Sequence, residues 1–370
     1  MTSEQTIDKI ALAALRGIAA GPLLECVRTV GLHDFMRMPA EDCVRITGGG
    51  QGMYKCLATR QEALDEARAE YYFARSHGIS CISILDEDYP SRLRDCDRPP
   101  LMLFKLGEAD LDAARSLSAV GTRRASPYGV SQTHKIIKEL QPCSPVTIVS
   151  GLAYGIDAEA HAAALETQMP TVAVVAHGLG MVYPATHRDL ARRIIENRGA
   201  IVTEYLHGMK PFRGNFLERN RIVAALGDVT LVIESPLKGG AMSTAAQAYS
   251  YGRIVTALPG RVSDTASQGC NALIASGRAE IFTSVGELIR QAGWEQQEQN
   301  ALPKQGNLFE ALDGDARRVA EFLAGNTDPV HMDTLVSHTG IPVSQLMAVI
   351  GEMEFDGLVV RYPGNRFAIL

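Results

Sequence analysis

Apolar residues recur at helical spacing through the first 75 positions and at strand spacing thereafter. Ile7 to Leu15, Pro22 to Val30, Pro39 to Ile46 and Tyr54 to Arg75 each carry apolar residues at the helical period, without β-branched alternation. They predict a small helical domain over residues 1–76, of helix-hairpin-helix or SAM-like type. Gly17-Ile18 followed by Gly21-Pro22 holds some glycines of a helix-hairpin-helix turn. Ala19 and Ala20 interrupt the usual Gly-x-Gly spacing, however, and a plain helix-to-helix connection explains the segment better.

From residue 77 to 290 short apolar runs alternate with helical stretches. The predicted strands are Cys81 to Leu85, Leu101 to Leu106, Leu117 to Val120, Val146 to Val149 and Thr171 to Val175. Ala200 to Val202, Val229 to Ile233, Ile254 to Ala257 and Ala279 to Phe282 continue the series. Such alternation specifies an α/β fold with a Rossmann-like, mostly parallel sheet carrying helices on both faces. Ligands of these sheets sit beyond the carboxyl ends of the strands, where the strand order reverses, so the residues after each strand are the ones to read for chemistry. Residues 291–312 are polar and Gln-rich and read as a linker. Residues 313–370 then show helices at Asp315 to Ala324, Met332 to Thr339 and Val343 to Phe355. Two short strands follow, Leu358 to Tyr362 and Arg366 to Ile369, giving the order of a winged helix.

Composition narrows the classes. No stretch of the 370 residues approaches the roughly 20 apolar positions that span a bilayer, and the first ten residues are polar, so a soluble cytoplasmic protein without membrane partners is expected. Seven scattered cysteines without a C-x-x-C pair suggest neither disulfides nor zinc. The net charge of -6 conceals an asymmetry: Arg115 to Arg290 holds 18 Lys and Arg against 13 Asp and Glu. A basic middle suits a polyanionic partner.

Four segments after strands carry the candidate chemistry. In the first, Gly121-Thr122-Arg123 ends a strand and Ser126-Pro127 opens a helix, combining unpaired helix-start amides with an arginine fork in a phosphate-type site. The second, Ser150 to His161, repeats the arrangement with Gly151 and Gly155. In the third, Arg219, Asn220 and Arg221 open an apolar helix and suit phosphate and base-edge contacts, with Phe216 as a ring for base stacking or for core packing. In the fourth, Lys238-Gly239-Gly240 precede a helix start, again cradling an anion, although no P-loop follows and nothing indicates ATP or magnesium. His161, His177 and His187 stand in no metal-ligand spacing, and Ser126 has no evident base, so neither a metal, a cofactor nor a catalytic residue is assigned.

The chain resembles the DNA-processing protein A family (DprA, also called Smf) over most of its length. The resemblance rests on Asp88-Tyr89-Pro90, Pro99-Pro100-Leu101, Gly121-Thr122-Arg123 with Ser126 and Tyr128-Gly129, and Ser150 to Asp157. It continues through Tyr183-Pro184, Phe216 with Arg219-Asn220-Arg221, Lys238-Gly239-Gly240 with Thr244-Ala245, and Leu258-Pro259-Gly260. Gly180 and Ala241 depart from the usual family residues. The resemblance implies a core that binds single-stranded DNA, dimerises, and helps load a RecA-type recombinase during natural transformation, without being an enzyme. For a dimer contact, Ile254 to Ser276 offers Ala257, Leu258, Leu273 and Ile274 as an apolar edge, although an internal core role is the more common one for such residues.

Two other readings come from different classes. A phosphoribohydrolase-like nucleotide hydrolase on a related fold would carry a catalytic glutamate three residues past the threonine of its glycine-rich motif. Here that position is Gln247, which cannot act as a general base. A winged-helix transcriptional regulator would need cations on its recognition helix, but Val343 to Phe355 has none and carries Glu352 and Glu354.

Overall fold

Helix α1 (Ser3–Ala14) starts at a capping box in which the Thr2 hydroxyl accepts from the Gln5 N–H and the Gln5 side chain accepts from the Thr2 N–H. Helices α2 (Ala20–Val30), α3 (Leu32–Arg37), α4 (Ala40–Thr47), α5 (Gln51–Ala58) and α6 (Arg60–Ser76) follow. The single helix expected from Tyr54 to Arg75 is thus two. The Thr59 hydroxyl turns back to donate to the Cys56 carbonyl at the break. These observations belong to a computed structural model that describes residues 2–295, 312, 314–326, 329–355, 358–362 and 365–369.

Nine strands then build one sheet: β1 (Ser80–Ser83), β2 (Met102–Gly107), β3 (Ser116–Val120), β4 (Thr147–Ser150), β5 (Thr171–Val174), β6 (Ala200–Thr203), β7 (Val229–Val232), β8 (Ile254–Ala257) and β9 (Glu280–Ile281). Their spatial order is β1-β2-β6-β5-β4-β3-β7-β8-β9. Neighbours from β6 across to β9 are parallel, whereas β2 runs antiparallel to both β6 and β1. The helices between strands are α7 (Ser91–Arg94), α8 (Pro127–Glu139), α9 (Ile156–Glu166), α10 (Arg188–Glu196), α11 (Arg213–Leu226), α12 (Gly240–Ser250), α13 (Gln268–Ala275) and α14 (Val285–Gln291).

Every residue of β3 to β7 is buried, so these strands are short runs of apolar and small hydroxyl residues with no charged position. The chain leaves β3 toward β4, β5 and β6, then returns to the other side of β3 as β7. This reversal opens a crevice at the carboxyl ends of β3 and β7, as expected of a Rossmann-like sheet. The amino-terminal helices do not stand apart from it. Ile10, Leu12, Leu23 and Phe35 share their apolar core with Met102 and Phe104 of β2.

Two expectations are corrected here. Ala257, Leu258 and Leu273 are buried in the core, so they do not form an exposed apolar edge for a partner. Gln291 closes α14 and Trp294 is buried among Ile136, Leu288 and their neighbours, so the first compact unit runs through Glu295 rather than ending at residue 290. Residues 296–311 of the expected linker lie outside the described residues.

The second unit contains α15 (Gly314–Ala324), β10 (Val330–His331), α16 (Met332–Thr339), α17 (Val343–Phe355), β11 (Val359–Tyr362) and β12 (Arg366–Ile369). The strands form an antiparallel sheet ordered β10-β12-β11. Leu323, Leu335, Leu346, Ile350 and Phe367 fill its core, and the order of helices and hairpin is that of a winged helix. Among the described residues no helix is long and apolar enough to cross a membrane.

Where α9 packs on the sheet, His161 is fully buried. The Thr171 hydroxyl donates to the Ile148 carbonyl at 2.8 Å, so it accepts from His161 Nδ1 at 2.7 Å, and Nε2 is left unprotonated and without a partner. Burial, with the charges of Arg219 and His187 nearby, pushes the imidazole pKa down to about 3 from 6.5. The folded state therefore keeps His161 neutral while the unfolded chain protonates it. The stability tied to this residue is complete above pH 6.5 and is lost as pH falls from there toward about 3. His161→Gln should flatten the decline of the urea midpoint across that acid range. An unchanged decline would refute the assignment.

Candidate nucleic-acid interface

The crevice between β3 and β7 is closed at its base by backbone bonds. The Ile233 N–H donates to the Val120 carbonyl and the Thr122 N–H to the Glu234 carbonyl, at 3.1 and 2.7 Å. Beyond them the Gly121-Thr122-Arg123 loop lies against the start of α9. Gly155 has φ +75, and a side chain there would meet the Thr122 carbonyl at 2.3 Å, so the close approach of the two loops needs glycine.

The expectation for Ser126 is corrected. Its N–H and hydroxyl both donate to the Glu234 carboxylate, and its oxygen accepts from the Gly129 N–H at 3.1 Å. The protein's own carboxylate therefore occupies the anion position at the start of α8, and Ser126 does not line the cleft. No side chain caps α12, whose first residues Gly240 and Ala241 do line it.

Arg219, Asn220 and Arg221 lie in the second and third turns of α11, because that helix begins at Arg213. Residues two apart on a helix point about 200° apart, so Arg219 and Arg221 do not share a cleft. Arg221 is buried on the opposite side in an ion pair with Glu204, lining a separate cavity with Arg98 and Pro99. Its expected DNA contact is withdrawn. Arg219 forms part of the cleft floor, but its Nη1 donates to the carbonyls of Gly151, at 2.7 Å, and Val174. Burial pushes the Asp157 carboxyl up and the Arg219 guanidinium down, and each charge draws the other back. The Gly151 and Ala153 amides also favour the Asp157 carboxylate. Asn220 Nδ2 donates to the Gly240 carbonyl at 3.3 Å, tying α11 to the start of α12.

The structure brings together Gly121, Thr122, Arg123, Gly151, Phe216, Arg219, Asn220, Lys238, Gly239 and Gly240 around a cleft of about 690 Å³. The Arg123 guanidinium lies 5.0 Å from the centre of the Phe216 ring, and the Tyr183 ring stands 5.9 Å from that of Phe216. Arg123 and Lys238 are exposed and, with Arg213, pair with no carboxylate among the described residues. Arg213 and Tyr183 were not assigned from the sequence. Arg213 sits three residues before Phe216 at a helix start, a signal that could have found it, whereas Tyr183 arrives from an irregular segment with no period to read. The lining thus offers three exposed cations free of close ion pairs among the described residues, an uncapped helix start and two aromatic rings, a combination suited to a phosphate-bearing strand with accessible bases.

Comparisons with known proteins agree with this architecture. The profile of the DNA recombination-mediator protein A family matches residues 80–293, and that of the DprA winged helix domain matches residues 306–365. The DprA relative of Mycobacterium tuberculosis is 34% identical over 378 residues, covering 97% of this chain and 94% of the relative. Protein Smf of Escherichia coli is 34% identical over 75% of this chain and 74% of its own. The crystal structure of DprA from Streptococcus pneumoniae superposes with a TM-score of 0.64 at 29% identity, over 78% of this chain and 98% of that one.

Gly151 offers a local test of the cleft floor. A Cβ there would stand 2.6 Å from both terminal nitrogens of Arg219, whereas one at Gly240 would meet nothing within 4 Å. Gly151→Ala should destabilise the protein by about 1–3 kcal/mol in urea unfolding and Gly240→Ala by less than about 0.5 kcal/mol. Equal effects would mean that the floor is not packed as described. Fold, cleft and relatives together establish that this chain belongs to the DNA recombination-mediator protein A family.

Proposed function

We propose that this chain binds single-stranded DNA along the cleft at the ends of β3 and β7, protects it, and helps load a RecA-type recombinase in the cytoplasm. The observation that carries the reading is Arg123 over Phe216 beside Lys238 and the uncapped start of α12. Cations can follow the backbone while an unstacked base meets the ring, an arrangement open to a single strand and not to paired bases. A structure of the Helicobacter pylori relative, 31% identical with a TM-score of 0.52 over 58% of this chain and 94% of its own, is described as showing a unique single-stranded DNA binding mode.

The same proposal includes a homodimer and no catalysed reaction. It divides the chain into a helical segment to residue 76, a core from residue 77, a linker and a winged helix from residue 313. Gln247 stands where the nucleotide hydrolases of related fold need a glutamate, which supports the non-catalytic reading. Release of a base from nucleoside monophosphates would overturn it. In the winged helix, the exposed positions of α17 include Val343, Gln345, Met347, Glu352 and Glu354 and no cation, which disfavours duplex reading by this module.

Anisotropy titrations of labelled oligo(dT) and duplex at several salt concentrations test the cleft. Arg123→Ala and Lys238→Ala should each weaken binding to all single strands about equally and reduce the salt slope by about 0.7–1. Arg219→Lys should weaken binding with the slope unchanged, because that guanidinium holds the floor rather than a phosphate. Parent-like affinity and slope in both Arg123→Ala and Lys238→Ala would remove the proposal.

A further inference from the structure

Phe212 is the most exposed Phe, Tyr or Trp among the described residues, at 69%. It is the N-cap of α11, in extended backbone, and its chain neighbours Pro211 and Arg213 both line the cleft. Its ring lies near Gly214, where an added Cβ would sit 3.4 Å from Cε1. Phe216 lies four residues on, one helical turn away, on the cleft wall. Around the same rim Leu217 and Leu237 are also exposed, at 51% and 56%, the latter next to Lys238.

Protein-docking patches are depleted of charge at their centre. This rim instead interleaves apolar side chains with Arg123, Arg213 and Lys238, the pattern of a groove in which cations follow phosphates and rings receive successive bases. We propose that Phe212 is a second base-stacking station, one helical turn outside Phe216, which extends the single-strand path over the lip of the cleft. The inference rests on the reading that single-stranded DNA occupies that cleft.

The only tryptophan, Trp294, is buried, so an indole placed at residue 212 adds a solvent-exposed emitter whose change is read against the background emission of Trp294, measured in the parent protein with the same strands. Full-length Phe212→Trp is titrated with oligo(dT) of about twenty nucleotides and with an abasic strand of equal length, long enough for several contacts. Quenching by oligo(dT) and not by the abasic strand is expected. Phe212→Ala should weaken oligo(dT) binding at least about fivefold, leaving abasic-strand affinity and the salt slope unchanged. Identical emission with both strands, or parent-like oligo(dT) affinity in Phe212→Ala, overturns the station. So does a Phe212→Ala protein whose mass by light scattering falls while its DNA affinity holds, which would mark the residue as a contact between copies. Parent-like affinity in Arg123→Ala and Lys238→Ala would instead remove the cleft reading beneath it.

Discussion

The guanidinium of Arg219 is the interaction on which the cleft depends. At the ends of β4 and β5 the carbonyls of Gly151 and Val174 point into a space that α11 crosses, and without a donor they would be buried and unsatisfied. Arg219 supplies that donor, but a fully buried cation needs a counter-charge. Asp157 at the start of α9 provides it, held in turn by the backbone amides of Gly151 and Ala153. Residue 151 has no room for a side chain because all these groups converge on it. Leu152, next in the chain, takes the left-handed φ of 53° and is held there by the hydrogen bond that His187 Nδ1 donates to its carbonyl. A ligand therefore meets a floor already set in place, and the one cation within that floor is compensated from inside.

The same economy separates the two helix starts beside the switch point. Both α8 and α12 follow strands that flank the crevice, and either could present amides to an anion. At α8 the carboxylate of Glu234 occupies the position and fastens the end of the β7 strand to the helix. At α12 no side chain does so, and Asn220 contacts the Gly240 carbonyl rather than an amide. An electrostatic asymmetry results. The start of α8 is a structural joint, whereas that of α12 stays available beside Lys238.

Much of this was legible in the sequence for identifiable reasons. Strands buried on both faces leave apolar runs bounded by turns, and a parallel sheet obliges ligand contacts to follow those runs, so Gly121 to Arg123 and Lys238 to Gly240 could be found by position alone. Several of the errors share a cause, in that each turned on a partner distant in sequence. Ser126 reads as a free N-cap until Glu234, over a hundred residues later, arrives to take its hydrogen bonds. Arg221 reads as a twin of Arg219 until the helix start is known, and Glu204 then claims it. Trp294 sits in a polar, Gln-rich stretch, and only its burial against Leu288 and Ile136 reveals it as the last piece of the core. Phe212 stands just before a helix, at the end of an irregular segment where no period shows which way a side chain points.

The net charge of -6 is the wrong sign for attracting a polyanion, and the local arrangement of charge accounts for the difference. Several arginines elsewhere on the core face carboxylates: Arg92 with Asp228, Arg98 with Glu218, Arg192 with Asp189 and Glu196, Arg221 with Glu204, and Arg290 with Glu287. These pairs contribute little field beyond a few ångströms. At physiological ionic strength acidic groups more than about 8 Å away are screened as well. A phosphate entering the cleft therefore senses Arg123, Arg213 and Lys238 rather than the sum over the chain. What marks this surface for a polyanion is not how many basic residues the chain has but where they stand: at an uncapped helix start, beside Phe216.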